Sequence, residues 1–201
     1  MPDERTLDVD APALKALAHP LRLQILRVLT LRKKVSVTSL AEELGETTGA
    51  TSYHLRQLAR HGFVEETDAD ETAGRGGVTR PAGRKRQLWQ MAVDRVHMTG
   101  YEFLANAETR EAAGFVLREI QADRSRRLAN WYATATQWSA GWQRASSDAD
   151  MFLELNQKQT RALADELAAV VTKYRTMKPG RGARMIDVQY AVFPNDDGTP
   201  A

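Results

Sequence analysis

Thr48, Gly49, Ser52, Tyr53, Arg56 and Arg60 fall along one side of a predicted helix, and they are the residues best suited to chemistry in this chain. That chemistry is recognition, not bond making. Thr48 and Ser52 offer hydroxyls to bases or phosphates, and Gly49 permits close approach. Tyr53 can reach a phosphate or a thymine methyl. Arg56 can pair bidentately with guanine, which discriminates by about 1–3 kcal/mol. The amides at the start of such a helix add a phosphate site. His54 lies in the same helix and has two readings, a phosphate contact or a polar residue packed beside a neighbouring hairpin. A second basic group, Arg84, Lys85 and Arg86, is suited to phosphate contact. Each phosphate neutralised steepens the log–log salt dependence by roughly 0.9.

Other chemistries find no footing. The chain has no cysteine, which removes disulfides, thiolate metal sites and cysteine redox sensing. Its four histidines show no metal-ligand spacing, so no metal and no cofactor are expected. There is no Gly-rich phosphate loop and no nucleophile elbow. Glu119 and Asp123 lie four apart, but Arg118, Arg126 and Arg127 beside them make a solvated helix face. The chain is expected not to be an enzyme.

The reading residues must be held by buried ones. Thr51, Leu55 and Leu58 supply the inner face of the helix over 48–60, with Thr47 as its cap and Gly62 at its end. Before it, Ser36 caps a shorter helix with inner residues Leu40, Ala41 and Leu44. Gly45 then takes the left-handed turn. The two together form a helix-turn-helix. Upstream, Ala13 to Ala18 can form one or two helical turns. His19 caps a helix opened by Pro20, with Leu21, Ile25, Val28 and Leu29 as its buried stripe and Arg22 off it. Downstream, residues 63–66 and 87–91 alternate as two antiparallel strands. The Gly-, Arg- and Pro-rich span between them is a wing, with its basic end at 83–86.

Beyond residue 93 the pattern is helical. Val96, Gly100, Phe103, Leu104 and Ala107 share a face, and one long helix is predicted over about 110–145. Leu128, Trp131, Ala135, Trp138, Trp142 and Ala145 form a coiled-coil-type seam on it. Phe103, Trp131, Trp138 and Trp142 line either an effector pocket or a core or dimer seam. Residues 151–155 alternate as a short strand. Asn156 caps a last helix whose buried stripe is Leu163, Leu167, Val170 and Tyr174. A closing strand over 186–192 is expected to pair with 151–155.

The expected organisation is a disordered acidic tail over 1–10, a winged helix-turn-helix over 11–92, a helical dimerisation and effector region over 93–194, and a tail over 195–201. The fold class is mainly α, with a small β-hairpin wing and a short two-stranded sheet further on. Net charge is only +2, but residues 13–64 carry eight Lys/Arg against three Asp/Glu. That asymmetry suits a polyanion partner. No apolar run is long enough to span a membrane, and the acidic start lacks a signal-peptide core, so a cytoplasmic protein is expected.

The segments ALAHPLRLQILRVL, SVTSLAEELGETTGATSYHLRQLARHGFVEE and GRKRQLW, in that order, resemble the ArsR-like winged helix-turn-helix transcriptional regulators. The resemblance covers residues 13 to 92, and looks closest to a cysteine-free branch with a helical C-terminal region. It implies a homodimeric DNA-binding regulator, often a repressor. In such regulators the helix matching Thr48 to Arg60 reads DNA and the wing touches the backbone. The helix before the turn offers only Glu42 and Glu43 where metal-sensing members place paired cysteines. The wing insertion, 69–83, is longer than is usual.

The expected function is therefore sequence-specific regulation on double-stranded DNA. A homodimer would read a palindromic operator, and a small apolar or aromatic effector would act through the C-terminal half. Two alternatives stand beside it: non-specific or architectural DNA binding without an effector, and a winged helix that docks a protein.

Overall fold

The computed structural model describes residues 5–68, 87–98 and 102–195. The chain divides into two compact units, Met1–Arg126 and Arg127–Ala201. The boundary expected at residue 92 falls inside the first unit.

The first described element is a strand, β1 (Thr6–Asp8), inside the span 1–10 where a disordered tail is expected. It pairs in parallel with β5 (Arg95–His97), and Leu7 lies opposite Val96. This pairing corrects the helical reading of Val96 as well. The signal was absent from either segment alone, because each strand is three residues long and its partner lies far along the chain. This is the two-stranded sheet of the fold. Residues 151–155 and 186–192, expected to form one, carry no strand.

Asp10 caps α1 (Ala11–Leu17), accepting from the Ala13 amide at 2.8 Å. His19 caps α2 (Pro20–Arg32) through Nδ1, which accepts from the Leu21 amide at 3.2 Å. The stripe Leu21, Ile25, Val28 and Leu29 is buried as its spacing predicts. The helix ends in strain. Lys33 adopts φ 69° and ψ −64°, while the Lys34 amide donates to the Arg32 carbonyl at 2.9 Å. That is the rarer, strained form of γ-turn.

β2 (Val35–Ser36) leads into α3 (Val37–Leu44), where Ser36 Oγ accepts from the Ser39 amide. Gly45 closes α3 at φ 67°, and the Glu46 amide reaches back to the Ala41 carbonyl at 2.9 Å. A side chain here would meet no neighbour, so the glycine is required by its backbone angle alone. α4 (Thr48–Arg60) follows after three residues. β3 (Val64–Asp68) and β4 (Gln87–Met91) run antiparallel, with Glu66 opposite Trp89. β4 also pairs with β2, giving the strand order β2-β4-β3.

One core joins these elements. Leu14, Ile25, Leu29, Leu40, Leu55, Leu58 and Phe63 are fully buried within it. α5 (Glu102–Ala105) and the start of α6 (Arg110–Thr134) complete it, with Ala113 and Val116 buried and Phe103 packed alongside. Arg27 and Asp123 bridge at 2.8 Å. The region beyond residue 93 thus contributes to the core of the first unit.

In the second unit α6 does not run to 145. It gives way to a 3-10 turn over Ala135–Gln137, and α7 (Ala140–Ala145) starts afresh after Ser139. Thr134 donates its hydroxyl to the Asn130 carbonyl, a back-bond that competes with helix continuation, and Thr136 and Ser139 are weak helix formers. α8 (Gln157–Arg175) carries the expected Asn156 cap as a full capping box. Its apolar stripe is not buried: Val170 and Tyr174 are exposed, and Leu163 and Leu167 only half-buried.

Candidate nucleic-acid interface

α4 is anchored before it is presented. Thr47 Oγ1 accepts from the Ala50 amide at 3.2 Å, and Thr51 Oγ1 donates to the Thr47 carbonyl at 2.9 Å. Thr51, Leu55 and Leu58 are all wholly buried. Three rigid anchors over two turns fix the rotation of the helix, and so fix what it shows to solvent.

What it shows is the polar set. Thr48, Gly49, Tyr53, Arg56 and Arg60 are exposed and Ser52 is half-buried, on the side away from those anchors. No carboxylate lies between Thr48 and Arg60. The open amides of the first turn and the two guanidiniums therefore face solvent without an acidic residue on the same helix. Glu46, just before the cap, is the nearest acid in sequence.

His54 is a correction. It is 9% exposed and turned inward, so it does not stand on the outer face with the DNA-contacting candidates. Its Nδ1 accepts from Arg22 Nε at 3.2 Å, its ring lies 4.3 Å from that of His19, and Tyr53 meets it edge-on at 5.2 Å. Burial lowers its pKa from the usual histidine value, and the charges of His19 and Arg22 lower it further, against a smaller opposing effect of Glu46. The α2 period places Arg22 off the buried stripe and says nothing more of it. It is in fact the link between α2 and α4, also donating to the Ala16 carbonyl at 2.6 Å. The sequence carries no sign of this bridge, because residues 22 and 54 belong to different helices and follow no common period.

Arg84, Lys85 and Arg86 lie outside the described residues, as does the wing tip over 69–83. The hairpin stem that carries them is in place: Gln87 Nε2 donates to Glu66 and Gln90 Nε2 to Glu65, across the β3–β4 ladder. The aromatic set divides. Phe103 packs against the core of the first unit. Trp131, Trp138 and Trp142 form a stair of rings in the second, with Trp131 and Trp138 tilted at 6.3 Å between centroids and Trp138 and Trp142 edge-to-face at 6.4 Å. Trp138 is exposed, so the stair lies at the surface of its unit.

Residues 17–67, about a quarter of the chain, match a family of helix-turn-helix domains. No curated protein matches the chain. The matched span runs from the end of α1 to β3 and contains the whole reading head. Fold and match together define a helix-turn-helix domain backed by a hairpin-bearing sheet, a DNA-binding class of module. No helix among the described residues is long and apolar enough to cross a membrane.

Proposed function

We propose that this protein is a homodimeric, sequence-specific transcriptional regulator of the ArsR-like winged helix-turn-helix type, acting as a repressor on a palindromic operator. The observation that carries this reading is the division of α4. Its inner residues are locked into the core, while Thr48, Gly49, Tyr53 and Arg56 stand in solvent at the N-terminal and middle turns that enter a major groove, with Arg60 exposed in the last turn. Arg56 reads a guanine, Thr48 and Ser52 contact bases or phosphates, and the wing residues Arg84, Lys85 and Arg86 hold the backbone. One such head spans half a site, so two copies place two heads about 34 Å apart in successive major grooves.

Control comes from the C-terminal half. A small apolar or aromatic effector that prefers the head spacing unsuited to DNA lowers operator affinity by its differential affinity for the two states. The surface stair of Trp131, Trp138 and Trp142 supports that assignment. α3 carries no thiol, which argues against soft-metal control at the family's usual place.

Selection of bound duplexes from a genomic library by the purified protein tests the reading. A recovered inverted repeat, bound at least a thousandfold more tightly than random duplex, is the expected result. Equal binding to random duplex would make the protein an architectural binder, and no binding would leave the head as a protein-docking module.

A further inference from the structure

The second unit has no core of its own. Among the described residues from Arg127 to Asn195, none is buried. A folded unit of this size is stabilised by apolar burial, and here that burial is missing. The apolar residues are present but open to solvent: Met151 is 72% exposed, Phe152 81% and Phe193 69%, and Leu153, Ile186 and Val188 are also exposed. They lie on two segments without regular structure, 148–155 and 183–193.

Each segment is tied to α6 by a contact of its own. Asp148 accepts from the Tyr132 hydroxyl, and Asp187 from Arg127 Nη1. Positions 127 and 132 are five residues apart on α6, which places them about 140° apart around the helix. The two segments are thus fastened to different sides of one helix, each with its alternating apolar residues unpaired.

Segment 148–155 is acidic, and the stretch that leads into segment 183–193 is basic, while 183–193 itself balances Arg184 against Asp187. Residues 145–157 hold three acids and no base, whereas 167–186 hold five bases and no acid. Such a pair of segments is complementary between two copies of the same chain, and the contact repeats itself by two-fold symmetry. We infer that each second unit is completed by another copy of this chain, segment 148–155 of one lying beside segment 183–193 of the other in a shared sheet.

Sequence spacing sets the alignment. An offset of 35 residues puts Met151 beside Ile186, Leu153 beside Val188 and Leu155 beside Tyr190, all on one face. The pairs Glu154 with Gln189 and Phe152 with Asp187 then fall on the other face. Run in parallel, the strands bring Asp148 diagonally beside Arg181 on the polar face; run antiparallel with Leu153 still beside Val188, Asp148 falls opposite Phe193 and loses that partner. The paired sheet and the apolar stripe of α8 together supply the core that one copy lacks.

This rests on the homodimer of the proposed function and says how its two copies are joined. The absence of cysteine makes the test direct. Full-length Glu154→Cys and Gln189→Cys chains, differently tagged, are coexpressed and oxidised. Neighbouring strands lie about 4.8 Å apart, within disulfide reach. The expected product is a disulfide-linked dimer carrying both tags, at least tenfold above either same-tag dimer. Light scattering on the unsubstituted protein without DNA should give twice the chain mass. A dimer without the 154–189 link would overturn the exchanged sheet and leave the homodimer intact. A monomer would overturn both. A doubly substituted chain that closes its disulfide within itself would also overturn the exchange. A mixed-tag linked dimer that selects no DNA would support the exchange while removing the DNA-reading function.

Discussion

Arg22 on α2 donates its Nε–H to Nδ1 of His54 on α4, at 3.2 Å. The imidazole must therefore present a lone pair at Nδ1, which a protonated ring does not have. Burial and the nearby His19 and Arg22 depress its pKa below the ordinary 6.5. In the unfolded chain the ring binds a proton near that ordinary value, and in the folded chain only at lower pH. Between the two the unfolded state holds more protons, so stability rises with pH there. Unfolding free energy should hold steady above about pH 6.5 and fall as the pH drops through that value towards the folded pKa, by at most about 1.4 kcal/mol per pH unit from this group. His54→Gln keeps an acceptor without the titration. Urea unfolding between pH 5 and 8 should show a shallower slope for this variant than for the parent; equal slopes would remove His54 as the cause.

The core prediction contrasts two leucines. Leu55 is wholly buried behind the reading face and Leu31 is half exposed. Leu55→Ala should cost about 2–5 kcal/mol. Leu31→Ala should stay within about 0.5 kcal/mol. Denaturant midpoints of the two variants give the comparison, and similar values would mean that α4 is not held as described.

Much of this was legible in the sequence because it is local. His19, Ser36, Thr47 and Asn156 cap their helices, and Gly45 ends α3, because a cap needs only its own first or last turn. The β3–β4 pairing was legible from alternation. What failed was non-local. β1 finds its partner almost ninety residues away, and nothing in either three-residue strand marks it. The tryptophan spacing continues across residues 135–139 although the helix does not, since a period records where side chains would fall, not whether the backbone keeps its bonds. The α8 stripe is amphipathic and so predicts burial, but amphipathicity shows that a face needs cover, not that the same chain provides it. For the reading head, Thr48 to Arg60 were legible as a face, while the inward turn of His54 depended on Arg22 and His19 from another part of the chain.

Lys33 offers a stabilising substitution. Its φ of 69° lies where a side chain clashes with its own backbone, and glycine adopts it freely. Relief of that strain outweighs the extra freedom of glycine in the unfolded chain, so Lys33→Gly should stabilise by about 1 kcal/mol. Lys33→Val, with a branched side chain in the same conformation, should destabilise by a similar amount or more. Thermal unfolding distinguishes the two. A lower midpoint for the glycine variant would show that the turn is not strained in solution.

Arg56 decides whether α4 reads or merely adheres. Its guanidinium stands exposed on the face opposite Leu55 and Leu58. If it pairs with a guanine, Arg56→Ala should weaken operator binding by about 1–3 kcal/mol, roughly 5- to 150-fold, and relax preference at one base position in each half-site. If it only neutralises a phosphate, affinity should fall alike on all duplexes, and the log–log salt slope should shrink by roughly 0.9 per head. Titrations against operator and random duplex at several salt concentrations separate the two. The side chain touches no part of the core, so the unfolding midpoint should not move. Unchanged affinity on both duplexes, with the fold intact, would take Arg56 out of the interface and shift base reading to Thr48, Ser52 and Tyr53.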